Sequence, residues 1–97
     1  MQRNKVRAYF GFAKRSGALT TGVFAAGTLK RGVFLLAADN TVSANSKKEI
    51  EKLQKRFACP LRYFDGLGEL VGREGCKLAA VRSESLAGAI LTAIESD

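Results

Sequence analysis

The hexapeptide Val33-Phe34-Leu35-Leu36-Ala37-Ala38 is apolar at every position and is closed by one acid, Asp39. Successive side chains on a strand point to opposite faces, so a strand that is apolar on both faces has to be covered on both. A chain built around such a strand needs a sheet with helices above and below it. The segments on either side of the hexapeptide supply them.

Upstream, Val6, Tyr9, Phe10 and Ala13 recur at helical spacing between Arg3 and Arg15, with Phe12 widening the apolar stripe. Arg3, Arg7 and Lys14 are offset by four and seven positions and so share another face of that helix. Gly17 stands where a glycine ends a helix, and Ala18 to Thr21 reads as a brief strand. Gly22 to Arg31 reads as a second helix, with Phe24, Ala25 and Leu29 turned to the core. Its interior Gly27 costs about 1 kcal/mol relative to alanine. The stretch from Lys14 to Asp39 therefore sets a helix end, a short strand, a helix and a buried strand around a cluster of cations.

Downstream, Asp39 to Asn45 is a polar loop. Ser46 and Glu49 have the spacing of a capping box, and Ile50, Leu53 and Phe57 form the apolar stripe of the helix that follows. Its remaining surface mixes Lys47, Lys48, Lys52, Lys55 and Arg56 with Glu49 and Glu51, as a solvated face does. Pro60 stops the helix, and Leu61 to Phe64 is a short strand. Asp65 or Gly66 opens a short helix through Leu67, Leu70 and Val71. Gly72 to Gly75 is a turn, Lys77 to Val81 a strand, and Ser83 caps a last helix carrying Leu86, Ala87, Ile90, Leu91 and Ile94. This alternation predicts one α/β domain over residues 1–97, with helices on both faces of a mixed four-stranded sheet.

The net charge of +7 is unevenly spread. Residues 1–38 contain Arg3, Lys5, Arg7, Lys14, Arg15, Lys30 and Arg31 and no acid, whereas residues 39–97 carry nine charges of each sign. The whole excess belongs to the first 38 residues, an asymmetry that attracts polyanions. Histidine is absent, which removes every histidine-based acid, base or triad. Cys59 and Cys76 are seventeen positions apart, without metal-ligand spacing. No apolar run approaches a membrane span, and the N-terminus leads into an amphipathic stretch unlike a signal sequence. The expected setting is cytoplasmic, with both cysteines as free thiols. Asp39, Asp65 and Glu69 form no recognisable acid pair, so the chain reads as a non-enzyme without cofactor or metal. Gly66-Leu67-Gly68-Glu69-Leu70-Val71-Gly72 has one residue too many before its third glycine for a dinucleotide loop.

Several segments resemble, in order along the chain, the bacterial YlxQ-type branch of the L-seven-Ae/L-thirty-e ribosomal protein family. They are Phe10 to Gly22, the strand Phe34 to Ala37 with Asp39 after it, the strand entry Cys59-Pro60-Leu61, and Leu67-Gly68-Glu69-Leu70-Val71-Gly72. The resemblance implies a three-layer α-β-α sandwich and binding to structured, kink-turn-like RNA. It also implies two contact regions. One is the start of the second helix at Gly22, with Lys30, Arg31 and Gly32 at its basic end. The other is the loop Gly72 to Cys76. Where the family places Asn-Glu, this chain has Val23-Phe24 or Phe24-Ala25, and the family's helix lysine falls on Gly27 or Thr28.

The expected RNA-contact residues are Lys14, Arg15, Thr21, Gly22, Val23, Phe24, Lys30, Arg31, Arg73, Gly75 and Cys76. Amides opening a helix at Gly22 favour phosphate, and Lys14, Arg15, Lys30 and Arg31 flank them. Val23 and Phe24 read as core; an exposed Phe24 would instead stack on a base. Cys76 lies between Arg73 and Lys77, cations that favour thiolate, but with no base or partner thiol evident it reads as an inert cysteine at a strand start. The expected partner is structured, ribosomal-type RNA in the translation apparatus. The alternative is a protein-interaction module on the same fold, using Val23 and Phe24.

Overall fold

The computed structural model describes residues 1–96. Its elements in chain order are α1 (Arg3–Arg15), β1 (Leu19–Thr21), α2 (Val23–Gly27), β2 (Leu35–Asp39), α3 (Ala44–Phe57), β3 (Leu61–Phe64), α4 (Leu67–Val71), β4 (Leu78–Val81) and α5 (Glu84–Glu95). The strands form one sheet in the order β1-β4-β2-β3. β2 and β3 are parallel, and the other two pairings are antiparallel.

Every residue of β2 is buried, as its two-sided apolar pattern requires. Leu35 and Ala37 join Phe64, Ala79 and Val81 on one face, against Val6 and Phe10 of α1, Leu67 and Leu70 of α4, and Ile90 of α5. Leu36 and Ala38 join Leu78 and Ala80 on the other, against Ala26 of α2 and Ile50 and Leu53 of α3. The result is a three-layer α-β-α sandwich around a mixed four-stranded sheet, in agreement with the sequence reading. Phe10 meets Phe64 edge-on, with ring centroids 6.1 Å apart, within this cluster. Leu35 and Leu36 are both fully buried, so truncating either to alanine would cost about 2–5 kcal/mol.

Three local expectations need correction. The second helix ends at Gly27 and does not reach Arg31. Thr28 Oγ1 donates to the Ala25 carbonyl at 2.6 Å, and the Arg56 guanidinium donates to the carbonyls of Gly27 and Leu29 at 2.8 and 2.9 Å. Those carbonyls are therefore satisfied from outside the helix. On this short helix Ala26 is the buried residue, while Phe24 is 90% exposed and Ala25 only half-buried. The third correction concerns α3, which is capped by Ser43, not Ser46: Ser43 Oγ accepts from the Ser46 N–H at 3.1 Å. The Ser83 cap of α5 is as expected, accepting from the Leu86 N–H at 3.2 Å.

Candidate nucleic-acid interface

The C-terminal ends of β1 and β2 and the start of β4 lie at one end of the sheet, where Thr21 is level with Ala79 and Ala38 with Leu78. The chain leaves β1 through Gly22, whose N–H donates to the Leu78 carbonyl at 2.8 Å and so prolongs the ladder by one bond. Its backbone then turns sharply, at φ 100° and ψ 141°, a region open essentially only to glycine. Opposite stands the connection from Gly72 to Lys77. Arg73 donates to Thr21 Oγ1 at 3.0 Å and ties this loop to β1. The two turns, with Ser46 from α3, enclose an open cleft of about 440 Å³ that carries Arg73, Glu74 and Lys77.

The Gly72–Lys77 loop is anchored from two sides. Gly68 lets α4 lie directly on it: a Cβ there would stand 2.7 Å from the Arg73 carbonyl oxygen and 3.2 Å from the Gly75 nitrogen. The Gly68 carbonyl also accepts from the Arg73 N–H at 2.9 Å. Gly68 in the glycine-rich run thus serves close packing. Lys14 crosses from α1 to donate to the Gly72 carbonyl at 3.1 Å.

Asp39 is the buried anchor of this end of the sheet. Its Oδ2 accepts from the hydroxyl and N–H of Thr41, and its Oδ1 accepts from the N–H of Leu67, which opens α4, at 2.9 Å. Lys77 Nζ lies 3.7 Å from Oδ2 and donates to Thr41 Oγ1 at 2.6 Å. The Thr41 hydroxyl, followed by the Leu67 and Thr41 amides, holds the carboxyl at about 2. Burial opposes them, and the Lys77 ammonium adds a smaller pull in the same direction. Sequence reasoning missed this role. Its signal was present: a lone acid closing an apolar strand must find its partners at the strand's end.

The sequence-derived site residues fall in three places. Thr21, Gly22, Val23, Arg73, Gly75 and Cys76 share the cleft, and Val23 also lines a neighbouring apolar groove that includes Phe24. Lys14 and Arg15 lie in a groove between α1 and α4 that reaches Gly72. Lys30 and Arg31 lie outside the second helix, in the connection from α2 to β2, just past the Leu29 carbonyl that Arg56 of α3 holds, and line neither the cleft nor the α1–α4 groove.

One side-chain expectation fails: Phe24 is not core. Cys76 is buried, with Sγ donating to the Leu78 carbonyl at 3.3 Å, and its desolvation pushes the thiol pKa up despite the Arg73 charge. Cys59, likewise free and buried, is raised for the same first reason. Five residues give α2 little macrodipole, and Gly22's own amide is already committed, so attraction for anions rests on side-chain cations.

No protein-family model matches the chain, and no curated protein sequence matches it. Among solved structures it is similar to a protein of unknown function from Bacillus halodurans, with a TM-score of 0.77 at 19% identity, over 95% of this chain and 98% of that one. At that identity the likeness establishes the fold alone. No helix of the described residues is long and apolar enough to cross a membrane.

Proposed function

We propose that this protein is a small, ribosomal-protein-like RNA-binding protein. Its target is structured, kink-turn-like RNA, held at the Gly22 cleft and the Gly72–Cys76 loop in the cytoplasm, as part of the translation apparatus. The observation that carries the reading is the state of its cations. Among the described residues the ion pairs are Lys52–Glu49, Arg62–Glu95 and Lys77–Asp39, all from the second half of the chain. Among the described residues, none of the seven basic residues before position 39 has a carboxylate within 4.0 Å. Unneutralised cations on one third of a chain are what phosphate binding draws on, and they confer affinity that falls steeply with salt. Recognition here is of the backbone, because Val23 and Phe24 offer no side-chain donor or acceptor to a base edge. Phe24, 90% exposed beside the cleft, is available to stack on an extruded base.

A second reading is favoured by one specific feature. Val23, Phe24, Gly27 and Leu53 line a groove of about 560 Å³ between α2 and α3, and so large an exposed ring suits a protein partner as well as a base. A fluorescence titration separates the two. RNA binding predicts saturable affinity for a kink-turn RNA over an unstructured control, weakening steeply between low and physiological salt. Silence toward both RNAs at low salt would refute it, and a partner whose binding is insensitive to salt but lost in Phe24→Ala would establish the second reading.

A further inference from the structure

None of the seven cations in the first 38 residues lines the Gly22 cleft, whose basic residues are Arg73 and Lys77. Arg7, Gly11 and Arg15 recur every four residues along α1 and share one face, with Lys14 beside them. With Phe12 they form one wall of a groove of about 480 Å³, and the end of α4 with Gly72 forms the other. No acid lines it. Gly11 keeps its floor low: a Cβ there would approach Arg15 Nη1 to 3.2 Å. Phe12 is half exposed, and the Arg15 guanidinium lies 5.0 Å from its ring centroid. Lys14, through its bond to the Gly72 carbonyl, joins this groove to the loop that borders the Gly22 cleft.

We propose that the α1–α4 groove carries the sugar–phosphate backbone of RNA flanking the part held at the cleft. Arg7 and Arg15 each neutralise a phosphate, and Phe12 offers its face to an unpaired base. The two arginines are eight residues apart, about 12 Å along the helix, far enough to meet two different phosphates. A cation row without interspersed acids, set beside an exposed ring, suits a strand with both charge and stacking faces. The inference rests on the RNA-binding reading and extends it to a second, contiguous surface.

The test is a salt-series titration of a kink-turn RNA with single-stranded flanks against the wild type, Arg7→Glu/Arg15→Glu and Arg73→Glu. The double variant is expected to bind at least about tenfold more weakly at 0.1 M salt, with the slope of log K against log salt reduced by about 1.5. Gly11→Glu, which puts a carboxylate on the groove floor between the two arginines, should shift binding in the same direction and decides the matter if the double variant folds poorly. Wild-type affinity and slope in the double variant and in Gly11→Glu, with Arg73→Glu weakened, would overturn the groove assignment and leave the cleft reading standing. Failure of the wild type to bind any RNA at low salt would overturn both.

Discussion

Replacing Asp39 with asparagine preserves the side chain's shape, removes its charge and strikes the point where three segments converge. In the folded chain the carboxylate satisfies the Thr41 hydroxyl and N–H and the buried Leu67 N–H, with the Lys77 ammonium 3.7 Å away. These partners hold the pKa at about 2 against an ordinary value of 3.8. That difference corresponds to about 2.5 kcal/mol of stability at neutral pH. The sign follows from the direction: as pH falls, the unfolded chain takes up its proton first. The contribution is therefore complete above about pH 5, shrinks between about pH 4 and 2, and is gone below that. The amide retains one acceptor oxygen, so Asp39→Asn should lose about 2 kcal/mol at pH 7, or about 8–16 °C in thermal midpoint for a domain of this size. Urea denaturation of both proteins at a series of pH values reads this directly. The stability gap should close as pH drops from 5 toward 2. A gap of constant size across that range would refute the argument, because it would mean that the charge contributes nothing beyond the hydrogen-bonding shape.

Gly68→Ala should cost about 1–3 kcal/mol by forcing the Arg73–Gly75 backbone away from α4, measured as a fall in thermal midpoint. Gly22→Ala should cost a comparable amount for a different reason: nothing lies within 4 Å of the added Cβ, so its effect is backbone strain at φ 100°, visible in denaturant titration without loss of packing. Phe24→Ala, at a 90% exposed position, should leave stability within about 0.5 kcal/mol while weakening whichever ligand the molecule takes, as a titration beside a melting curve would reveal. Cys59 and Cys76, buried and with raised thiol pKa values, should react with a thiol reagent only slowly at neutral pH and rapidly in denaturant; equal rates in both conditions would contradict their burial.

Most of the architecture was legible because it depends on local pattern. Val33 to Ala38 dictated a central strand, and Leu35–Asp39 is that strand; Pro60 and Ser83 marked boundaries through backbone chemistry that acts within a few residues. The errors fall where a distant group intervenes. The apolar spacing of the second helix continues to Leu29, but Arg56, almost thirty residues later, takes the carbonyls that would have carried the helix on. Ser46 with Glu49 makes the better-looking cap on paper, yet the turn that Asp39 and Thr41 close places Ser43 at the helix start. The candidate site suffered most. Phe24 was assigned inward because it is apolar, and Lys30 and Arg31 were grouped with Gly22 by a helix that does not reach them.

The place of β4 in the sheet bears on how the molecule comes into being. β4 spans residues 78–81, yet it lies between β1 and β2, and among the described residues β1 has no other strand beside it. A nascent chain can pair β2 with β3 but cannot seat β1 until residues 78–81 have been made. The segment that carries the seven cations therefore stays unpaired in the sheet until then, and closure depends on a contact sixty residues apart in sequence. Such a topology makes the closing of a long loop the slow step of folding. Chains truncated before Leu78 should fail to fold, whatever their remaining helices can do alone.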